Sequence, residues 1–321
     1  MTKSNDGLRL EVFLAQHFEG LSRHKAIEVI REGSVFLDGR KAKKGMRVST
    51  GQIIELTLET RTRTTTESPT ILFSNDELVI ADKPAGMPCH PLRLGEMGTL
   101  LQWVGERFPE VLKAGEKPRE GGLLHRLDTD TSGCVAFART KAAYSMWVPR
   151  FLEGGIGKIY LAVISDRGTN GGTHRGTNGE PQTVLQQVQP LEIGKRMVID
   201  IPLARHSSDA GRMVAVEWGD EKKRGPILEA KTEIRTLAKG DGCALIEAKI
   251  EKGRMHQIRI HLAAVGHPII GDKLYGSLDL DIGRQALHAW KLILDKKTEV
   301  VAPLPKDMRG FCSHHGLSIP K

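Results

Sequence analysis

The segment from residue 121 to residue 133 constrains the fold of this chain more than any other stretch. It places a histidine, an arginine and two aspartates between glycines, directly before the strand-like apolar run 134–138. A core strand is built from apolar side chains, so charged residues here indicate that a sheet edge opens into a loop. Loops on a rigid scaffold frequently carry catalytic residues. Asp128 is the candidate reactive residue of the segment.

Two other interpretations of this segment stay open on its residues alone. The Asp-x-Asp-x-Ser-Gly pattern fits a simple polar turn, in which Asp and Ser side chains bond their own backbone. It also approaches the Asp-x-Asp-x-Thr motif of haloacid-dehalogenase-type phosphatases, which use magnesium. That motif follows a continuous buried strand, whereas His125 and Arg126 interrupt the apolar run here and Ser132 stands in the Thr position. The phosphatase interpretation is therefore disfavoured.

Length and composition indicate a globular chain and favour a polyanionic partner. The 321 residues are enough for two unequal domains. A hydrophobic content of 39% with 27% charged residues is typical of soluble globular proteins, and no apolar run approaches the roughly 18 residues of a membrane-spanning helix. The net charge of +8 favours a nucleic-acid partner because Lys and Arg neutralise phosphates, although many basic proteins bind no nucleic acid.

Cysteine and histidine spacing argues against metal sites and disulfides. No Cys-x-x-Cys pair occurs among the four cysteines, so we expect reduced thiols. The histidines at 256, 261 and 267 lack His-Glu-x-x-His spacing, and we expect no metal. The Gly/Thr-rich loop 167–179 lacks the Gly-Lys-Ser/Thr ending of a P-loop. The N-terminus has no apolar segment before a small-residue cleavage site, which predicts a cytoplasmic protein.

Residues 1–60 predict a small helix-helix-strand module with a basic face. Apolar residues at helical spacing mark a first helix at 8–17, Ser22 can cap a second helix that Gly33 ends, and Asp38-Gly39 predicts a hairpin turn. Basic residues cluster on and after the second helix, where they form either a phosphate-binding face or an ordinary solvated surface. The candidate RNA contacts are Arg23, Lys25, Arg31, Lys41 and Lys43.

A polar segment separates this module from the rest of the chain. Residues 61–70 have neither a hydrophobic period nor core-forming side chains, which predicts a flexible linker. From residue 71 to residue 321, short apolar runs alternate with helix-like segments around 99–108 and 141–151. This alternation predicts an α+β fold for the larger domain.

Several motifs in a fixed order resemble those of one enzyme family. The His125-Arg126-Leu127-Asp128 run resembles the His-Arg-Leu-Asp motif of the RluA-type pseudouridine synthases, in which the Asp is the nucleophile. Four further segments resemble the family's other landmarks, in the family's order: 83–86, 158–162, 253–262 and 266–272. Residues 8–58 resemble the S4-like RNA-binding domain. The resemblance implies a catalytic domain built on a mixed, mainly antiparallel sheet.

The resemblance implies an isomerase that turns uridine into pseudouridine without a cofactor. The glycosidic bond to N1 is broken, the base rotates, and C5 is joined to the same sugar carbon. Asp128 would begin the reaction as a carboxylate, at C1′ or at the base. Tyr160 would stack on the flipped base, its phenol assisting transfer of the C5 proton, and Arg259 would pair with Asp128. Arg126, which would hold phosphate or fill the vacated stack, and Lys158 are the candidate substrate-binding residues.

The expected substrate is structured RNA. Large-subunit (23S) ribosomal RNA is favoured because an appended S4-like domain is typical of family members that modify it, and transfer RNA is the nearest alternative. A non-catalytic RNA-binding or ribosome-assembly factor is the competing class, which an intact set of Asp128, Tyr160 and Arg259 argues against. We expect a monomer that binds neither DNA nor a membrane.

Overall fold

The computed structural model describes most of the chain in ranges separated by short gaps. The described residues are 6–18, 21, 23–31, 33–56, 67–91, 96–166, 174–175, 181–182, 190–207, 209, 211–216, 224–276 and 282–320. The predicted Ser22 cap, the boundary at residue 60, the linker as far as residue 66 and most of the 167–179 loop lie outside them. Within these ranges, no helix is both long and apolar enough to cross a membrane.

The N-terminal module has the predicted helix-helix-strand order. Its elements are α1 (Leu10–His17), α2 (Arg23–Arg31), β1 (Val35–Leu37), β2 (Arg40–Lys41) and β3 (Ile54–Leu56). Strand β1 lies between β2 and β3, and both pairings are antiparallel. Asp38 and Gly39 both have positive φ, at +49° and +75°, as a two-residue type I′ hairpin turn requires. The apolar faces of the two helices pack on β1 in a core of their own.

The larger part of the chain contains helices α3 to α7 and strands β4 to β17. The helices are α3 (Leu100–Gly105), α4 (Val111–Ala114), α5 (Lys141–Glu153), α6 (Gln257–Ala264) and α7 (Lys306–His314). The strands are β4 (Thr70–Ser74), β5 (Leu78–Lys83), β6 (Ser132–Ala138), β7 (Gly157–Ser165), β8 (His174–Arg175), β9 (Pro181–Gln182), β10 (Arg196–Asp200), β11 (Leu203–Arg205), β12 (Met213–Ala215), β13 (Arg224–Leu228), β14 (Lys231–Lys239), β15 (Cys243–Ile250), β16 (Leu287–Ile293) and β17 (Glu299–Val301). Strand β4 begins at the last residue of the segment predicted to be a linker.

A nine-stranded sheet organises this domain. Its order is β10-β14-β15-β7-β16-β6-β5-β4, and β17 pairs with β16. Every described pairing in it is antiparallel except β6 with β16, so the predicted mixed, mainly antiparallel α+β fold is confirmed. Strands β11, β12 and β13 form a separate small sheet, and β8 pairs with β9.

Helices cover both faces of the central sheet. Alternate side chains of β6 enter two different cores: Val135 and Phe137 pack in the core that includes α3, α6 and α7, while Ala136 packs with Trp147 and Phe151 of α5. Strands buried on both faces read as continuous apolar runs, which is why 134–138 has no polar residue. The sheet is therefore a rigid central layer.

Two glycines bring the charged segment close to this layer. Gly133 has φ +114°, and a Cβ there would overlap the carbonyl of Ala289 on the parallel neighbour β16. A Cβ at Gly122 would overlap the carbonyl of Ala138, whose own amide donates to the Gly122 carbonyl at 2.7 Å. The amide of Leu124 also donates to Ala136, at 3.0 Å. The backbone on both sides of the charged segment is thereby attached to β6.

Candidate active site

Asp128 lies in the loop that enters β6, at the middle of the sheet. The amide of Thr131 donates to the Asp128 carbonyl at 3.1 Å, which closes a turn directly after the residue. The Asp128 side chain is 25% exposed, and its Oδ2 accepts a hydrogen bond of 2.7 Å from Arg259 Nη1. One carboxylate oxygen is therefore fixed by an ion pair while the side chain keeps access to solvent.

Arg259 is held in place by a second carboxylate. It lies on α6, which follows β15, and it donates from Nε and Nη2 to the two oxygens of Asp272 at 2.7 and 2.8 Å. The Asp272 side chain is fully buried, and its Oδ1 also accepts the amides of Leu274 and Tyr275. Burial acts to raise the pKa of Asp272, but the hydrogen bonds and charge of Arg259, together with these two amides, hold that pKa below its usual value.

Tyr160 shares a cleft with this ion pair. The tyrosine lies on β7 opposite Ala248 of β15, and only 8% of it is exposed. Burial and then the nearby charge of Asp128 raise the pKa of the phenol, so the hydroxyl keeps its proton at neutral pH. Tyr160, Asp128 and Arg259 line one cleft of about 480 Å³, together with Arg126 and His256. The three residues predicted to be catalytic thus come together from three separate parts of the chain.

Arg126 and Lys158 have different environments within the cleft. Arg126 is exposed, where a polyanion can reach it. Lys158 is buried, and its Nζ donates to the carbonyls of Phe151 at 2.6 Å and Glu251 at 2.9 Å. Burial lowers the pKa of Lys158 to about 8. This geometry favours a role for Lys158 in joining α5 to the end of β15 over a direct contact with RNA.

His125, which begins the charged segment, has a structural environment. Its Nε2 accepts the amide of Ala136 at 3.2 Å, and its ring stacks on Phe151 with 4.9 Å between centroids. Burial and then the charge of Lys158 lower the pKa of His125 to about 3, so the imidazole is neutral. A neutral acceptor for a strand amide explains how a histidine fits beside β6.

A buried lysine supports the loop that carries Asp128. Lys83, at the end of β5, donates from Nζ to the carbonyls of Pro84, Met87 and Thr129 at 3.0, 2.7 and 2.8 Å. Burial lowers its pKa to about 8, and the nearby Cys89 and Asp130 act against that shift. The hydrogen bond to Thr129 links the 83–86 segment to the residue that follows Asp128.

His256 and Tyr275 form a polar pair beside Asp128. His256 Nε2 lies 3.8 Å from Asp128 Oδ1, and His256 Nδ1 lies 2.9 Å from the Tyr275 hydroxyl. The Arg259 guanidinium carbon lies 5.2 Å from the centre of the Tyr275 ring. The Asp128 carboxylate therefore has Arg259 at one oxygen and His256 near the other.

The predicted RNA contacts of the N-terminal module lie on its surface. Arg23, Arg31, Lys41 and Lys43 are exposed, while the side chain of Lys25 lies outside the described part of the chain. Arg23 also comes within 3.9 Å of the buried Glu11 carboxylate. The positions suit phosphate binding, and the RNA contacts themselves stay predictions.

Sequence patterns indicated no role for Asp272, His256, Tyr275 or Lys83. Three of them stand in the segments 83–86, 253–262 and 266–272 that resemble family landmarks, which was the available signal. Their partners could not be identified from spacing, because these contacts join residues far apart in the chain: Asp272 lies 13 positions from Arg259, Tyr275 lies 19 from His256, and Lys83 lies 46 from Thr129.

Comparisons with known proteins agree with the two-part structure. The family model described as RNA pseudouridylate synthase matches residues 77–264, and the S4 domain model matches residues 8–54. A protein of Nitrosomonas europaea named ribosomal large subunit pseudouridine synthase D is 31% identical, with 94% of this chain and 83% of the relative covered. A relative of the same name in Xanthomonas campestris pv. campestris is 30% identical, with 96% and 88% covered.

Solved structures of similar proteins show the same fold. Human RNA pseudouridylate synthase domain containing 4 superposes with a TM-score of 0.53 at 22% identity, covering 78% of this chain and 94% of that one. Human RNA pseudouridylate synthase domain containing 1 gives a TM-score of 0.52 at 24% identity, covering 76% and 86%.

Proposed function

The chain belongs to the RNA pseudouridylate synthase family, and we propose that it converts specific uridines of large-subunit ribosomal RNA to pseudouridine, with Asp128 starting the reaction. The environment of the Asp128 carboxylate is the main support for this proposal. Arg259 binds one oxygen at 2.7 Å, and the partly exposed side chain lies in a cleft large enough for a flipped base. A carboxylate held in this way is a competent nucleophile or base.

The proposed mechanism assigns each step to a residue of the cleft. Asp128 attacks the target nucleotide, at the sugar C1′ or at the base, and the glycosidic bond to N1 breaks. The detached base rotates within the cleft, and C5 joins the sugar carbon as the bond formed to Asp128 breaks and releases the carboxylate. C5 then loses its proton and N1 gains one, so product and substrate are isomers. Tyr160 stacks on the base throughout. Its hydroxyl is protonated at neutral pH, so it relays the C5 proton by giving up its own proton as it accepts the one from C5. Arg259 directs Nη1 at Asp128, because Asp272 binds its Nε and Nη2.

Basic residues outside the cleft centre bind the RNA in this proposal. Arg126, exposed at the cleft, contacts a phosphate or takes the place of the flipped base in the stack. Arg23, Arg31, Lys41 and Lys43 bind phosphates of a neighbouring RNA segment, as does Lys25. The net charge of +8 supports a polyanionic substrate.

Ribosomal RNA is proposed as the substrate because of the relatives and the N-terminal domain. Two relatives that share 30% identity or more over nearly the whole chain carry names that specify the ribosomal large subunit. A separate RNA-binding module suits a large folded RNA, since it adds phosphate contacts away from the modified nucleotide.

Pseudouridine mapping in cells tests this proposal directly. Pseudouridines are mapped in large-subunit ribosomal RNA and in transfer RNA from cells with the protein, cells without it, and deleted cells that express Asp128→Asn. We expect specific large-subunit sites to lose the modification in both the deleted and the Asp128→Asn cells. Loss confined to transfer RNA would replace the substrate assignment, and full modification with Asp128→Asn would contradict the role of Asp128.

A further inference from the structure

We propose that His256 is a positioning residue, which orients the Asp128 carboxylate by presenting a neutral imidazole N–H to its Oδ1. This inference rests on the proposed role of Asp128. Arg259 fixes Oδ2, but a single ion pair leaves the carboxylate free to rotate about that contact. A donor facing Oδ1 restricts this rotation, and small errors in the placement of reacting groups reduce rates strongly.

The backbone at His256 is the first observation that supports this role. His256 has φ +58° and ψ +16°, the left-handed conformation, immediately before α6 begins. Among the described residues, Asp38 is the only other non-glycine with positive φ, and its hairpin turn requires that conformation. Strained backbone at a non-glycine residue persists where surrounding contacts impose it and is concentrated at functional sites. Here it brings the imidazole to Asp128 while α6 carries Arg259.

Tyr275 is the second observation, because its hydroxyl holds the far side of the imidazole. The hydroxyl lies 2.9 Å from His256 Nδ1 and accepts the amide of Met213 at 3.0 Å. The two rings meet edge to face, with 5.5 Å between centroids. The backbone amide of Tyr275 donates to Asp272, which holds Arg259. The short segment from Asp272 to Tyr275 thus holds both groups that face Asp128, which are Arg259 and His256.

The surrounding charges identify the imidazole tautomer. Burial lowers the pKa of His256; Asp128 and Asp272 act against that shift, while Arg259 and Arg126 add to it. The imidazole is therefore neutral, and a lone pair on Nε2 would repel the carboxylate oxygen 3.8 Å away. The favoured tautomer has its proton on Nε2. The single proton of the Tyr275 hydroxyl is then donated to Nδ1, at 2.9 Å, in preference to the Met213 carbonyl, which lies 3.1 Å from the hydroxyl. The distance of 3.8 Å exceeds a direct hydrogen bond, and catalytic hydrogen bonds frequently shorten when substrate binds.

Three substitutions at His256 separate the effects of its left-handed backbone, of its contact with Tyr275 and of the N–H donor that faces Asp128. Glycine adopts the left-handed conformation without strain and removes the imidazole. Asparagine tolerates this conformation and can bond Tyr275, but its amide is too short to reach Asp128. Glutamine can place an amide N–H near the Nε2 position. For each variant, kcat and KM on a large-subunit RNA fragment are measured together with RNA affinity and melting temperature.

We expect His256→Gly and His256→Asn to lower kcat by about 100-fold, with KM and melting temperature close to wild type. Added imidazole should restore part of the activity of His256→Gly, and His256→Gln should exceed His256→Asn. Tyr275→Phe, which keeps the ring and loses the hydroxyl, should lower kcat less than His256→Gly with KM unchanged.

Two results would overturn the inference. One is a wild-type kcat in His256→Gly and His256→Asn. The other is a loss of kcat that neither imidazole nor glutamine restores, because that loss would be structural. Both outcomes require an active wild-type enzyme, so they are distinct from failure of the proposed function, in which the wild-type protein itself modifies no RNA.

Discussion

Arg259 donates two hydrogen bonds to Asp272, at 2.7 and 2.8 Å, and this contact determines where its remaining terminal nitrogen points. That nitrogen, Nη1, donates to Asp128 at 2.7 Å. The planar guanidinium joins a fully buried carboxylate to a partly exposed one. Arginine suits this position because it offers donors in a rigid fork, which the ammonium of lysine cannot reproduce.

Asp128→Asn should remove isomerisation and leave RNA binding intact. The amide keeps the shape of the carboxylate but has neither its charge nor its nucleophilicity, and loss of a nucleophile lowers kcat by about 10⁴- to 10⁶-fold. Tritium release from C5-labelled uridine in RNA measures the rate. Asp130→Asn is the matched control, because Asp130 is exposed and lies two residues away. Substantial turnover by Asp128→Asn, or an equal loss in both variants, would end the nucleophile assignment.

Arg259→Leu should destabilise the protein in a pH-dependent way. Removing one partner of a buried ion pair costs about 3–5 kcal/mol, and here it leaves Asp272 buried without its cation. In the wild type, the lowered pKa of Asp272 contributes stability that is present above about pH 4 and lost as pH falls further. In the variant, burial raises that pKa, so the destabilisation should increase as pH rises.

Denaturant unfolding at about pH 5 and about pH 8 tests the direction of this pH dependence. The free-energy deficit of Arg259→Leu relative to wild type should be larger at the higher pH. Arg259→Lys should recover only part of both stability and kcat, since it cannot form the two-pronged contact with Asp272. A pH-independent deficit of less than about 1 kcal/mol would match an exposed ion pair instead.

Tyr160→Leu should lower kcat/KM more than Tyr160→Phe. Stacking of a base on an aromatic ring contributes about 1–3 kcal/mol, so its loss corresponds to about 5- to 150-fold in kcat/KM. Phenylalanine retains the ring. Both substituted side chains are apolar, which suits a position that is only 8% exposed. Steady-state kinetics give kcat/KM for both variants, and their melting temperatures serve as the folding control. Equal losses in the two variants would assign the effect to the hydroxyl and not to the ring.

The exposed lysines of β2 and the following loop should contribute to the salt dependence of RNA binding. Lys41→Gln/Lys43→Gln should weaken affinity and reduce the slope of log affinity against log salt by about 0.7–0.9 for each phosphate that the protein no longer neutralises. Lys296→Gln/Lys297→Gln removes the same charge from the exposed turn between β16 and β17. Filter binding at several salt concentrations should show a change only in the first double variant. Identical slopes in both would mean that Lys41 and Lys43 only form a solvated surface.

Lys158→Met should leave RNA affinity within about twofold of wild type. The ammonium is used in hydrogen bonds to two backbone carbonyls, and methionine fills a similar volume. Because burial lowers the pKa of Lys158 to about 8, below its value of about 10.4 in unfolded chains, the wild-type protein gains stability from this group as pH rises from about 8 to 10. The free energy of unfolding of the variant should not show this rise between about pH 8 and pH 10. A tenfold loss of RNA affinity would restore Lys158 as a substrate contact.

Local features of the sequence were sufficient to predict several of the helices and strands. Helical spacing predicted α1 and α2, the Asp38-Gly39 pair predicted the hairpin, and the continuous apolar run predicted β6. These predictions succeed because period, capping and turn preferences depend on residues within a few positions of one another. The charged segment before β6 was identifiable for the same reason, since it breaks the pattern that a buried strand needs.

Tertiary structure decided which distant residues meet. The sequence contains no local signal that Asp272 holds Arg259, that Tyr275 holds His256, or that the ammonium of Lys158 is used within the protein. The contact of Lys158 with the Glu251 carbonyl, for example, depends on the pairing of β7 with β15. A hydrogen bond forms only when two groups lie within about 3 Å, and that distance is determined by the packing of segments far apart in the chain.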